Sequence, residues 1–123
     1  MKFLGTGSAL PKKVVSNDDL AQVMDTSDEW IRSRTGIGMR HIAVEETTTS
    51  MAVEAAEKAL ADAKISGCEI DLIIAGTISP DYIFPSLACE VQAAIGAKSA
   101  TAFDLSAGCS GFLFALATAD AYF

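Results

Sequence analysis

Apolar and polar residues recur along the chain with the periods of helices and strands. The clearest helical period runs from about Thr49 to Lys64, where alanine and leucine recur every three or four residues. The segments 70–78 and 101–106 are short apolar runs bounded by turn-forming residues, which is typical of strands covered on both faces. Because helices and such strands alternate, the pattern predicts an α/β fold with a mainly parallel sheet and helices on both of its faces.

Capping and turn residues predict the remaining elements. Ser16 or Asn17 can cap the start of one helix, and Gly36 and Gly96 are placed to end two others. The predicted elements are a strand at 2–8, a helix at 16–24, a helix from 26–29 to 36, a strand at 39–44, a helix at 86–95, and a helix from about 109 to 123. The length suits one domain over residues 1–123.

Composition and charge exclude several classes of protein. Half of the 123 residues are apolar, which excludes a disordered chain. The 16 acidic residues outnumber the 9 basic ones and no basic patch stands out, so we expect neither nucleic-acid nor anionic-membrane binding. No uninterrupted apolar stretch reaches the ~18 residues of a membrane span, and the apolar run at the N-terminus is too short for a signal peptide. We therefore expect a cytoplasmic protein.

The cysteines are widely spaced. Cys68, Cys89 and Cys109 form no CxxC pair, and His41 is the single histidine, which argues against a metal site and against a disulfide framework. We expect Cys68 and Cys89 to pack and His41 to make a structural hydrogen bond. The acidic residues near positions 18–29 are explained by two helix starts rather than by a metal.

The segment around Cys109 carries the most informative chemistry. A predicted buried strand leads through small residues into a helix, so that the Cys109 thiol lies near a helix N-terminus, where unpaired N–H groups favour a thiolate. Ala107, Gly108 and Gly111 permit a sharp turn, and the Cys109 N–H can donate to a developing oxyanion. Spacing alone leaves two alternatives open, which are a nucleophile and a buried packing cysteine.

Two aromatic residues are further candidates for binding. Trp30 and Arg34 are four residues apart and project from one helix face, where an indole can stack on a base and a guanidinium can pair with a phosphate. A core anchor and a surface charge explain the same pair. Phe84 follows a turn at 79–82, and an anchor for this loop is the simple explanation.

Five motifs together resemble beta-ketoacyl-acyl-carrier-protein synthase III, within the thiolase-like condensing enzymes. They are Gly-Thr-Gly-Ser-x-Leu-Pro at the start, Asp-Thr-Ser-Asp-Glu-Trp-Ile-Arg-Ser-Arg-Thr-Gly-Ile from 25, Arg-His-Ile-Ala from 40, Phe-Pro-Ser from 84, and Asp-Leu-Ser-Ala-Gly-Cys-Ser-Gly-Phe from 104. Family members consist of two similar halves, and this chain resembles the N-terminal half. The apolar end of the chain, without a capping residue, agrees with a longer polypeptide.

The resemblance implies a decarboxylating Claisen condensation that initiates fatty-acid synthesis. Cys109 matches the acylated cysteine, Trp30 and Arg34 match residues that contact coenzyme A, and Phe84 matches a residue that lines the acyl pocket across a homodimer. Thr26 and Thr35 are weaker candidates for coenzyme A contacts. The implied substrates are acyl-CoA, acetyl-CoA first, and malonyl-acyl carrier protein, and no metal or redox cofactor is needed.

One element of the family site is missing from this sequence. The family uses a histidine and an asparagine of the C-terminal half, and neither can be assigned here, so the chain alone is expected to lack condensing activity. The C-terminal half would come from the same or a second chain. Two alternatives remain, which are a related condensing enzyme or acyltransferase of secondary metabolism and an inactive fragment that acts as a dimerisation or scaffold module.

Overall fold

A computed structural model of the chain describes residues 2–123, and Met1, the first residue of the predicted domain, lies outside the described residues. In chain order the elements are β1 (Lys13–Ser16), α1 (Asn17–Ala21), α2 (Asp28–Thr35), β2 (Met39–Ile42), α3 (Thr48–Ala63), β3 (Leu72–Gly76), α4 (Leu87–Ile95), β4 (Thr101–Leu105) and α5 (Gly111–Tyr122). Short 3₁₀ turns precede β3 at Gly67–Glu69 and α5 at Gly108–Ser110. The chain divides into two compact units, a smaller one at Leu10–Glu46 and a larger one at 2–9 and 47–123.

In the smaller unit, β1 and β2 form an antiparallel pair in which Val14 is opposite His41. The sequence pattern did not predict β1, because four residues between a proline and a helix cap give too short an alternation to recognise. Ser16, rather than Asn17, caps α1 by accepting from the Asp19 N–H, and the Asp19 carboxylate in turn accepts from the Ser16 backbone N–H. The helix ends at Ala21, earlier than predicted.

In the larger unit, β3 and β4 form a parallel pair connected through α4. The Asp104 carboxylate of β4 accepts hydrogen bonds from the start of α4, whereas the ring of its neighbour Phe103 lies 6.1 Å from that of Tyr122 in α5. Because consecutive side chains of a strand point to opposite faces, α4 and α5 cover opposite faces of the pair. This confirms the predicted α/β arrangement with a parallel sheet and helices on both faces.

The helices of the larger unit begin and end where their sequence predicts. Thr47 caps α3 and Ser86 caps α4, in both cases by accepting from a backbone N–H of the first turn, and Gly96 ends α4 in the left-handed conformation. Leu87, Ala88 and Val91 of α4 are buried, so this helix contributes most of the buried apolar core. No helix within residues 2–123 is both long enough and apolar enough to cross a membrane.

The prediction of a strand at 2–8 is wrong, because no strand is assigned to this segment. The segment lies against α3 instead. The Thr6 N–H donates to the Asp62 carboxylate at 2.9 Å, and a Cβ added at Gly7 would collide with the Ala55 carbonyl oxygen. The local sequence does not reveal whether a second strand lies alongside to pair with this segment.

Candidate active site

Cys109 lies in the turn that connects β4 to α5. It is the middle residue of the 3₁₀ turn at Gly108–Ser110, directly before Gly111 at the start of α5, and its side chain is exposed. The expected position near a helix N-terminus is therefore the observed one. Because this cysteine is solvent-accessible, the structure does not support the alternative of a buried packing residue.

Glycines allow the turn to lie close to the end of the neighbouring strand. Gly108 has φ = 52°, a left-handed conformation that side-chain-bearing residues rarely adopt. A Cβ added at Gly76, the last residue of β3, would lie only 3.2 Å from the Gly111 carbonyl carbon. This backbone-to-backbone contact places the start of α5, and with it Cys109, at the carboxyl end of the parallel pair, where α/β proteins bind their ligands.

Asp104 fixes the strand that leads to Cys109. Leu87 and Ala88 are the first two residues of α4. Their backbone N–H groups donate to the two Asp104 carboxylate oxygens at 2.9 and 2.8 Å. The charge complements the positive end of that helix. This role of Asp104 was not predicted, and the residue entered the sequence comparison only as part of a motif. A carboxylate inside an otherwise apolar strand was the available signal, because such a group needs partners.

An apolar groove of about 390 Å³ runs between β3 and α5. Leu72, Ile74, Phe112 and Leu116 contribute to its lining, and Cys109 is not among the lining residues. The first turn of α5 also exposes large apolar side chains, namely Phe112, Leu113 and Phe114. Contiguous apolar surface of this kind marks an interaction site.

Trp30 and Arg34 lie together on α2, as their spacing predicts. The Arg34 guanidinium carbon is 4.4 Å from the Trp30 ring centroid, and the indole remains 53% exposed. Thr35 is the last residue of α2. Its hydroxyl already makes two hydrogen bonds, because it donates to the Ile31 carbonyl and accepts from the Ile37 N–H. Thr26 is half-buried and precedes the helix cap.

The buried Asn17 was not singled out as a functional residue. Its side-chain amide donates to Asp28 and to the Ile37 carbonyl, both at 2.8 Å, and its carbonyl oxygen accepts from the Arg40 guanidinium. The Asn17 bond is the largest cause of a lowered pKa at Asp28, and the ion pair with Arg32 adds to it. Only the tertiary structure brings these partners together.

Phe84 lies on an exposed apolar loop between β3 and α4. Phe84 is 89% and Ile83 98% exposed. The loop is anchored by Asp81, whose carboxylate accepts from the N–H groups of Thr48 and Thr49 at the start of α3. These bonds lower the pKa of Asp81 from 3.8 to about 2, and the bond from the Thr49 backbone N–H has the largest effect. The Phe84 side chain is thus presented outward from a fixed loop, and the simple explanation of a packed loop anchor is wrong.

The other predicted structural residues divide into two groups. Cys89 is partly buried with its sulfur 3.8 Å from the Ala102 carbonyl oxygen, and His41 Nδ1 lies 2.5 Å from the Pro11 carbonyl oxygen, as expected of structural residues. The prediction that Cys68 packs in the interior is wrong, since this side chain is exposed and its sulfur lies 2.8 Å from the Ser66 hydroxyl oxygen. In the part of the chain that the structure describes, no three His, Cys, Asp or Glu side chains form a group able to hold a metal.

Comparison with known proteins gives a consistent result in sequence and in structure. The chain is 62% identical to beta-ketoacyl-acyl-carrier-protein synthase III of Streptococcus suis over 111 residues, which is 90% of this chain and 34% of that protein. The structure matches 3-oxoacyl-acyl-carrier-protein synthase III of Aquifex aeolicus with a TM-score of 0.95 and 55% identity over 98% of this chain. It also matches the priming beta-ketosynthase of the R1128 polyketide pathway, with a TM-score of 0.92 and 40% identity over 96% of this chain.

No protein-family model matches the sequence. The chain spans little more than a third of the length of the curated relatives that it matches, 34 to 39%. Within that span the correspondence is continuous and reaches 98% of the chain in the Xylella fastidiosa protein, at 54% identity. Over nearly all of its length, the chain therefore resembles an N-terminal segment of beta-ketoacyl-acyl-carrier-protein synthase III, a thiolase-like protein.

Proposed function

We propose that this chain supplies the nucleophile of a decarboxylating condensation that initiates fatty-acid synthesis. The Cys109 sulfur attacks the thioester carbonyl of acetyl-CoA, the bond to the coenzyme A sulfur breaks, and coenzyme A leaves as the thiol with the proton from Cys109. Malonyl-acyl carrier protein then loses carbon dioxide, its carbanion attacks the acyl-cysteine, and the 3-ketoacyl product leaves as the cysteine is regenerated. The observation that carries the proposal is the exposed Cys109 in the short turn that leads into α5.

The geometry of the turn suits covalent catalysis. The glycines at 108 and 111 leave space for a carbonyl group to approach the backbone, and N–H groups at the start of a helix can stabilise the oxyanion of the tetrahedral intermediate. Division of one difficult transfer into two acyl-transfer steps predicts ping-pong kinetics. No metal or redox cofactor takes part in this scheme.

The Trp30–Arg34 pair would bind the nucleotide of coenzyme A. Arg34 covers one face of the indole, so an adenine would stack on the other face, while the guanidinium edge pairs with phosphate. Thr26 and Thr35 flank α2 and are secondary candidates. Because the Thr35 hydroxyl already makes two hydrogen bonds to backbone, its role would be to shape the helix end.

Additional polypeptide would complete the site. A histidine and an asparagine from the C-terminal half would stabilise the thioester enolate, and Phe84 would reach the acyl pocket of a second copy in a cytoplasmic homodimer. The support is the exposed apolar surface on α5 and at Ile83–Phe84, which is costly in water. The chain alone would lack condensing activity.

Acetyl transfer tests the assignment directly. The chain, joined to the C-terminal half of the family sequence, is incubated with acetyl-CoA, and intact-mass and peptide-mapping mass spectrometry locate the adduct. We expect one acetyl group on Cys109 and none in Cys109→Ala. Cys68→Ala is the matched control, because Cys68 is the other exposed cysteine, and it should acylate normally. An adduct on Cys68 or Cys89, or none, refutes the proposal.

A related condensing enzyme of secondary metabolism is a second candidate, supported by the match to the R1128 priming ketosynthase. Competition between acetyl-CoA and longer acyl-CoA substrates in the same assay distinguishes the two, since a starter enzyme for fatty acids should prefer acetyl. An inactive dimerisation or scaffold module would form no adduct in either case.

A further inference from the structure

Helix α2 carries Trp30 and Arg34 but buries none of its own residues. An eight-residue helix is too short to be stable in isolation, and the packing of this one is limited, since its apolar residue Ile31 is only half-buried. Hydrogen bonds at its ends therefore contribute much to fixing its position. Ser27 caps its first turn, but this bond is local and does not join the helix to the rest of the unit.

Asn17 joins both ends of α2 through one amide group. Its Nδ2 donates at 2.8 Å to Asp28, the first residue of the helix, and at 2.8 Å to the carbonyl of Ile37, just beyond the Gly36 cap. Asn17 is only 1% exposed, so these bonds are protected from competition with water. Trp30 and Arg34 lie between the two points of attachment.

The orientation of the Asn17 amide is set by the adjacent strands. Its carbonyl oxygen accepts from Arg40 of β2, and the same guanidinium donates to the Val15 carbonyl of β1 at 3.1 Å. A flipped amide would point its NH₂ at the Arg40 donors and its oxygen at two acceptors. The Asn17 backbone N–H also donates to the Gly38 carbonyl at 3.2 Å. The strands therefore determine which way the two donors point.

We propose that Asn17 is the positioning residue that fixes the Trp30–Arg34 pair for binding the nucleotide of coenzyme A. The inference rests on the proposed function for its ligand, but the placement of α2 can be measured without any ligand. Trp30 is the single tryptophan, so its fluorescence reports this site alone. Loss of a buried hydrogen bond should accelerate hydrogen exchange of the α2 amides about tenfold.

The first test compares neighbouring acidic residues on α2. Asp28→Ala removes the Asn17 partner, whereas Glu29→Ala removes an acidic side chain of the same first turn that does not contact Asn17. We expect faster exchange over 28–36 and a shifted Trp30 emission in Asp28→Ala only. Asp28→Asn keeps an acceptor oxygen and should resemble the wild type. Equal behaviour of the two alanine variants overturns the proposal.

The second test changes Asn17 itself. Asn17→Asp keeps the size and the acceptor for Arg40 but removes both donors, and we expect α2 to loosen. In Asn17→Asp combined with Asp28→Asn the bond to residue 28 is restored with the donor on the other side, while the Ile37 carbonyl still lacks its donor, so the Trp30 emission should recover in part. Gln92→Ala is the control, because the Gln92 amide also donates to two backbone carbonyls, those of Ala97 and Ala100. It should leave the Trp30 emission unchanged.

Titration with coenzyme A separates this inference from the proposed function. We expect quenching of Trp30 in the wild type, with about tenfold weaker binding in Asn17→Asp and Asp28→Ala. No response in the wild type, together with the expected exchange pattern, refutes the coenzyme A assignment and leaves the positioning role intact. Wild-type exchange and emission in Asn17→Asp refute the positioning role, even if coenzyme A binds.

Discussion

The turn that carries Cys109 and the helix that carries Trp30 and Arg34 are held in place by different means. At the turn, small residues let two backbones approach, as the 3.2 Å distance between a Cβ added at Gly76 and the Gly111 carbonyl carbon shows. At α2, one buried side chain, Asn17, makes the connections. The first region depends on the absence of side chains and the second on a single amide group.

The difference indicates how each region tolerates change. At the Gly76–Gly111 contact, an added methyl group would press against backbone atoms. These atoms cannot move aside as a flexible side chain can. In α2, the shape can be kept while the hydrogen-bond pattern is altered, because a carboxylate has the size of a carboxamide. The two regions should therefore fail differently, the turn through steric strain and α2 through loss of donors.

The largest effect is expected from Asp104→Asn. The two N–H groups at the start of α4 need two acceptor oxygens, and an amide supplies only one. We expect the free energy of unfolding to fall by about 2 kcal/mol, measured by urea denaturation. Alkylation of Cys109 by iodoacetamide should change relative to that of Cys68, which serves as internal reference. Unchanged stability would show that the Asp104 bonds do not hold β4 against α4.

Trp30→Ala should weaken binding of acyl-CoA about tenfold, because a stacking surface is lost. The Michaelis constant for acyl-CoA should rise more than the turnover number falls, since Trp30 does not touch the reacting atoms. Steady-state kinetics of the protein that includes the C-terminal half measures both constants. An unchanged Michaelis constant would remove Trp30 from the binding face.

Gly76→Ala and Gly111→Ala test the backbone contact from its two sides. A Cβ at Gly76 lies 3.2 Å from the nearest backbone atom, whereas a Cβ at Gly111 lies 3.6 Å from its nearest. We expect Gly76→Ala to destabilise by about 1 kcal/mol and Gly111→Ala to be neutral or stabilising, since alanine favours helix. Thermal unfolding of the two variants measures the difference. The reverse order would contradict the steric account of the turn.

The smallest effect is the pH dependence contributed by Asp81. Its pKa is about 2 in the folded protein against an ordinary 3.8, so its stabilising contribution is complete above the ordinary value and disappears as the pH falls towards 2. We expect the wild type to be more stable than Asp81→Asn above pH 4, with the difference closing towards pH 2. Glu46, whose pKa is also about 2, is common to both proteins, so its contribution cancels. A difference that does not vary with pH would exclude ionisation of Asp81 as the cause.

Features that depend on neighbouring residues were predictable from the sequence. Ser27 and Gly36 mark the ends of α2 as predicted, and the run at 101–106 is a strand, because caps and periods are local properties. The position of Cys109 before a helix and the pairing of Trp30 with Arg34 follow from the same local rules. The resemblance to the family was confirmed by the comparisons.

Features that depend on distant partners were not predictable. The partners of Asn17 lie 11 to 23 residues away along the chain, so no pattern around position 17 indicates its role. The segment at 2–8 was predicted as a strand, but it lies against α3. Cys68 precedes a strand, as predicted, yet its turn directs the side chain to solvent.

Helix α5 bears one charged residue, Asp120, and its apolar residues do not select one side for burial. Half-buried Ala115, Leu116 and Ala119 mark the side of α5 that faces the sheet, and the Gly76–Gly111 and Phe103–Tyr122 contacts fix that side near the two ends of the helix. These contacts lie nearly the helix length apart, about 16 Å for eleven residue steps. The sequence of α5 thus allows several rotations about the helix axis, and these two contacts select one of them.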